Sequence, residues 1–209
     1  MPKNGKSKYH ISLKQLKKQV RQLQKAESAD KGISDEERNV SVTSSASFVH
    51  TCFATEAGTG LENRDGLSIV ARSVEIGGMM VREDHTNKIR LIAVQFESYA
   101  DASIDNVLQF PNADATYLDK GVYSPYKVGG DCKYRILLDK VMHCDTTQET
   151  KNFRFRIRIP KKHDIMKYTQ ELQQVPQSNP IVIYAVSDSY ITSLAHPGLR
   201  MYIRQRFDK

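Results

Sequence analysis

Residues 152–159, Asn-Phe-Arg-Phe-Arg-Ile-Arg-Ile, alternate apolar and polar without a fault. Successive side chains of a strand point to opposite faces. This period of two therefore reads as a β-strand with Phe153, Phe155, Ile157 and Ile159 on one face and Asn152, Arg154, Arg156 and Arg158 on the other. Pro160, which cannot donate to a ladder, ends it. A strand with one apolar face must lay that face on a second layer, so the segment excludes an isolated ribbon and asks for a sandwich or barrel.

The rest of the chain agrees. Val40, Val42 and the Ser/Thr run to Cys52 are strand-prone, and Leu67 to Val81 reads as a long strand with a kink near Gly77-Gly78. Ile89 to Tyr99 is apolar on both faces, which predicts a strand buried on both sides. Residues 102–109 give one short helix. Residues 132–145, 181–187 and 199–207 give further strands, and 122–128 gives a weaker one. About eight strands separated by loops rather than helices favour an antiparallel sandwich or barrel over a βαβ fold, and eight strands in two sheets point to a jelly roll. An up-and-down barrel stays open. An immunoglobulin-like sandwich is disfavoured by the lack of Trp and of a usable Cys pair.

Charge divides the chain unevenly. Lys3, Lys6, Lys8, Lys14, Lys17, Lys18, Arg21 and Lys25 fall in residues 1–26 with no acid among them. The net charge of the whole chain is +7, so this arm carries +8 and the remainder −1. Basic tails on neutral bodies meet polyanions. Residues 1–8, rich in Lys, Gly, Pro and Ser, are expected to be disordered. From Ser12, a plausible N-cap, Leu13, Leu16, Val20 and Leu23 recur at helical spacing, which predicts an amphipathic helix over about 12–26. A short coiled coil or a solvated helix is the alternative, and the unbroken run of bases without an acid favours polyanion binding over it. A lipid-surface role is disfavoured because the stripe lacks Trp and Phe. Residues 27–38, mixed in charge, read as a hinge, so the arm and hinge take 1–38 and the β domain 39–209.

Several function classes drop out on residues. No apolar run reaches the roughly 18–20 residues of a membrane span, and no apolar segment follows the basic start as a secretory signal would require. Cys52, Cys132 and Cys144 have no metal spacing, and their odd number argues against a disulfide framework. The six histidines form no HxH, HxxxH or HExxH cluster, and there is no G-x-S-x-G or phosphate loop, so no enzyme is expected.

Three stretches carry a resemblance. They are Gly60-Leu-Glu-Asn-Arg64-Asp-Gly66-Leu-Ser-Ile69-Val-Ala-Arg-Ser73 entering a long strand, the strand 89–99 followed by Ala102-Ser-Ile-Asp-Asn-Val-Leu108, and Tyr134-Arg135-Ile-Leu-Leu-Asp139-Lys140. With Arg200-Met-Tyr-Ile-Arg-Gln-Arg-Phe-Asp208 they follow one another in the order seen in satellite tobacco necrosis virus-like jelly-roll capsid proteins. That family also occurs in circular Rep-encoding single-stranded DNA viruses, and the resemblance covers roughly residues 40–208.

The resemblance implies an all-β, eight-stranded antiparallel jelly-roll sandwich behind a basic, partly helical arm. It implies a viral coat protein that builds a small icosahedral (T=1, sixty-subunit) virion shell around a single-stranded genome, with DNA slightly favoured over RNA. The implied partners are further copies of the chain and that genome, with no membrane. The implied location is the virion, and the host nucleus or cytoplasm during assembly. The eight arm cations are the expected phosphate contacts. Tyr9 reads as a base-stacking group or a passive aromatic. Arg154, Arg156 and Arg158 read as a supplementary nucleic-acid contact or as a solvated or interface face. Arg64 and Gly66 read as a turn rather than a site. Asp65, Asp101, Asp105, Asp139 and Asp145 could hold calcium between subunits, as in some relatives. No loop has calcium-ligand spacing, so no ligands and no cofactor are assigned. The alternatives are a cellular nucleic-acid-binding protein with a β-sandwich interaction domain and a lectin- or cytokine-like trimeric sandwich.

Overall fold

The alternating segment lies where its pattern demands, on one sheet of a two-sheet sandwich. The computed structural model describes residues 31–83, 85–110, 120–189 and 196–209, and Lys31–Lys209 forms one compact unit. Its strands are β1 (Lys31–Ser41), β2 (Ser47–Cys52), β3 (Ser68–Val81), β4 (Asn87–Phe96), β5 (Tyr134–Cys144), β6 (Thr150–Arg158), β7 (Ile165–Lys167), β8 (Ile181–Ser187) and β9 (Gly198–Asp208). Sheet one has the order β1-β9-β3-β6, with β7 also on β3. Sheet two has the order β2-β8-β4-β5, and every pairing is antiparallel. The fold is thus all-β, as expected. Apart from β4–β5, consecutive long strands pass from one sheet to the other.

The inward faces of both sheets form the main core. Ile69, Val74, Ile76 and Met80 of β3, Leu199, Ile203 and Phe207 of β9, and Ile157 of β6 meet Ile89, Leu91 and Ala93 of β4 and Ile181, Ile183 and Ala185 of β8. The Phe53 and Phe207 rings meet edge to face, 6.2 Å between centroids, an arrangement that adds about 1 kcal/mol to simple burial. Cys52, Cys132 and Cys144 are free thiols.

Strand β4 is buried on both sides because sheet two has a second, smaller core on its outer face. Ile92, Val94, Phe96, Val182 and Tyr184 are covered there by Ile104, Val107 and Leu108, with Tyr126, Tyr134 and Ile136 at the margin. Arg90 pins this cover. Its buried guanidinium donates to both carboxylate oxygens of Asp139 (2.9 and 2.8 Å) and to the carbonyls of Val122 (3.2 Å) and Ser124 (2.6 Å).

Four expectations are corrected. Residues 31–38 are not a hinge but most of β1, which keeps an eleven-residue register with β9. The hydrophobic pattern misses it because its inward side carries Gly32, Ser34, Glu36 and Arg38, and pairing rather than apolar burial holds it. Residues 102–109 form no single helix. Two 3₁₀ turns, Tyr99–Asp101 and Ile104–Asn106, each begin at a serine whose hydroxyl accepts from the backbone two residues on. Residues 122–128 are not a strand; α1 (Lys120–Tyr123) is followed by a single bridge between Leu108 and Tyr126. Strand β3 runs unbroken through Gly77-Gly78, and its irregularity lies earlier, between Ala71 and Ser73.

Candidate nucleic-acid interface

The outer face of sheet one carries the charge. On β6, Arg154, Arg156 and Arg158 are exposed and alternate with the half-buried Phe153 and Phe155 and the buried Ile157, as the sequence predicts. The register places them across β3 from a second arginine row. Arg158, Ser73, Arg206 and Ile33 lie in one line across the sheet, Arg156, Glu75, Arg204 and Asp35 in the next, then Arg154, Gly77, Tyr202 and Glu37, then Asn152, Met79, Arg200 and Asn39. The two arginine rows are separated by one strand, hence by about 10 Å.

The sequence pattern singles out only the β6 row. Arg200, Arg204 and Arg206 on β9 are legible in the same way, because Leu199, Met201, Ile203 and Phe207 alternate with them and are all buried. The segment reads as a closing strand, and its polar half then goes unremarked.

Within these four lines six arginines stand against Asp35, Glu37 and Glu75, a net charge of +3. Arg204 holds Asp35 in a two-pronged pair, Nε to Oδ1 and Nη2 to Oδ2 both at 2.8 Å. The Arg204 hydrogen bond keeps the Asp35 carboxyl below its usual range despite some desolvation. Arg154 Nε donates to Glu75 Oε1 at 2.8 Å. Desolvation pushes the Glu75 carboxyl up, but the bond and charge of Arg154, with Arg206 nearby, outweigh it and bring it below the ordinary value. The side chains of Arg156, Arg158, Arg200 and Arg206 make no hydrogen bond or ion pair among the described residues. Four guanidiniums spread over a flat, mostly exposed face can take phosphate oxygens in pairs, the geometry to which the planar fork is matched.

Beneath β1 the chain is polar as well. Arg38 Nη2 lies 3.1 Å from Glu36 Oε2 and donates to Nδ1 of the buried His50 at 3.2 Å. Burial first, and the Arg38 charge second, push the His50 imidazole down to about 4, so it is neutral near pH 7.

The other singled-out residues serve the scaffold. Arg64 is fully buried with its guanidinium 4.1 Å from the Tyr168 ring centroid. It donates to the carbonyls of Gly66, Gln170 (3.0 Å), Glu171 (2.7 Å) and Gln173 (3.0 Å), tying two loops together. Gly66 has φ +85°, the left-handed region that the turn into β3 needs. Both fit a turn rather than a binding site. Asp139 is engaged by Arg90 and Tyr126, and Asp145 accepts from the Thr147 amide (2.8 Å) and hydroxyl (2.5 Å) and the Gln148 amide (3.0 Å). Among the described residues no three His, Cys, Asp or Glu side chains are placed to share a metal. Lys3, Lys6, Lys8, Lys14, Lys17, Lys18, Arg21 and Lys25, with the expected helix and Tyr9, lie outside the described residues. No protein-family model matches the chain, and comparison with curated proteins gives no match.

Proposed function

We propose that the protein is a viral capsid protein that self-assembles into a small icosahedral shell, T=1 with sixty subunits, and packages a single-stranded nucleic-acid genome through its basic N-terminal arm. The observation that carries this reading is the segregation of charge. Eight cations without one acid precede residue 27, and a body of net charge −1 follows. The chain enters that body through β1, an edge strand of the sheet whose outer face bears the six arginines. A shell subunit needs both parts: a wall that does not repel its copies, and a cationic segment that neutralises confined phosphate.

The fold supports the same reading. The orders β1-β9-β3-β6 and β2-β8-β4-β5, with strands passing between sheets, fit an eight-stranded jelly roll to which β7 is a three-residue addition. Its partners are then other copies of the chain and the genome, with DNA slightly favoured by the sequence resemblance. Its place is the virion, and the host nucleus or cytoplasm during assembly. Recognition is electrostatic and independent of base sequence: arm cations grip phosphates, and Arg156, Arg158, Arg200 and Arg206 extend the contact over the sheet.

Electron microscopy of the purified full-length protein, across a range of salt, tests this directly. Closed particles of uniform diameter are expected. A monomer or trimer under every condition contradicts the shell and favours a cellular nucleic-acid binder or a trimeric sandwich.

A further inference from the structure

In the middle of the arginine face lies one aromatic ring. Tyr202 points outward from β9 between Arg200 and Arg204, and it is 39% exposed although its neighbours Met201 and Ile203 are buried. Its cross-strand partner on β3 is Gly77. A Cβ at residue 77 would lie 2.5 Å from both Cζ and Oη of Tyr202, so the phenol end of the ring rests on the bare glycine backbone. No larger residue at 77 would let the ring lie down. The hydroxyl is anchored as well: Tyr202 Oη donates to Glu75 Oε1 at 3.4 Å, and Arg154 holds the same oxygen.

Beside the ring is a shallow depression of about 480 Å3, with Tyr202, Arg200, Glu37 and Asn39 among its walls and Gly78 in its floor. Gly78 is also fixed by its setting. A Cβ there would lie 2.2 Å from the Arg200 carbonyl oxygen and 2.7 Å from Met201 Cα, so only glycine allows this approach of β3 to β9. Gly77 thus lets the half-exposed tyrosine rest on the sheet, Gly78 lets β3 approach β9 closely beside it, and an arginine with no side-chain partner among the described residues stands next to the ring.

Within the packaging reading above, on which this inference rests, we propose that Tyr202 is a stacking platform for one base of the bound single strand. Arg200 takes the adjoining phosphate, and Asn39 and Glu37 offer polar groups to the base edge. A ring held on glycine loses little freedom on binding, which is what a stacking platform requires. Every base has a π-face, so the seat adds affinity for unpaired strands without selecting sequence. It also explains why an aromatic side chain stands exposed among charges on a sheet whose other apolar groups mostly face the core.

The test compares a twenty-residue oligothymidylate with an abasic strand of equal phosphate number, titrated against the full-length chain at fixed low salt. The wild type is expected to prefer the strand with bases. Tyr202→Ala is expected to weaken oligothymidylate binding by about fivefold or more, while leaving affinity for the abasic strand and the salt dependence unchanged. Tyr202→Phe keeps the ring and should keep the preference. Equal binding of the two strands by the wild type overturns the platform, as does a preference that survives Tyr202→Ala. If that surviving preference disappears on removal of residues 1–26, the stacking belongs to the arm. Failure of both strands to bind the wild type overturns the packaging reading and the platform with it.

Discussion

The two outer faces of the sandwich are finished in opposite ways. On sheet two, Ile104, Val107 and Leu108 lie over the strands and make a second core with Tyr126 at its margin, and the buried Arg90 is consumed by Asp139 and backbone carbonyls. On sheet one no cluster of described residues covers the outer face, and four of its six arginines find no side-chain partner among the described residues. Among the described residues, then, part of the chain seals one sheet and none seals the other. An exposed face with more cations than acids suits an anionic partner, whereas cations in a hydrogen-bonded cage serve stability.

This contrast makes predictions of decreasing size. The largest effect is on the sealed side. Arg90→Ala leaves the Asp139 carboxylate with only the Tyr126 hydroxyl and takes the guanidinium from the Val122 and Ser124 carbonyls, and it should lower unfolding free energy by about 3 kcal/mol. Denaturant titration measures this, and the salt dependence of nucleic-acid binding should not move. A decrease below about 1 kcal/mol would mean that the cover is not pinned there.

His50 gives an effect of similar order that appears only in acid. The folded state keeps it neutral down to about pH 4, while the unfolded chain protonates it near 6.5. The unfolded state therefore binds more protons in this window. Stability falls as pH drops from about 6.5 towards about 4, by up to about 3 kcal/mol, and this group causes no further fall below that. His50→Gln should flatten that part of the stability–pH curve. An unchanged slope in the variant would assign the acid sensitivity elsewhere.

On the bare side the effects on stability should be small and those on binding specific. Replacing Arg156, Arg158, Arg200 and Arg206 together by Gln should leave unfolding free energy nearly unchanged. It should reduce the salt slope for single-stranded binding by about 0.7 for each phosphate that is no longer neutralised. A slope that does not change would leave the face as solvated surface and the whole grip to the arm. Arg204→Ala breaks only an exposed pair with Asp35 and should cost less than about 1 kcal/mol.

The same contrast explains what can be read from the sequence. β6 and β4 are legible because their side chains report burial directly: one apolar face in Phe153 to Ile159, two in Ile89 to Phe96. β1 is not, because its inward Ser34, Glu36 and Arg38 are held by β9 and by one another rather than by an apolar face. β7 is three residues long, too short to carry a period. The apolar residues expected of a helix over 102–109 do face the second core, but the segment holds one 3₁₀ turn, Ile104–Asn106, capped by Ser103, rather than a helix. Of the bare face, half is plain in the sequence. The β6 arginines stand out against phenylalanines, while those of β9 blend into the polar side of a terminal strand. The meeting of the two rows depends on β3 lying between β6 and β9, which no local pattern reveals.

The central claim is that residues 1–26 hold the polymer and the sandwich supplies the wall. It is tested most directly by removing those residues and measuring, by ultraviolet absorbance and nuclease-sensitive staining, the nucleic acid that co-purifies with the protein. Co-purifying nucleic acid should fall to background while β circular dichroism and the unfolding midpoint stay as in the full chain. Undiminished nucleic acid on a folded, shortened protein would contradict it.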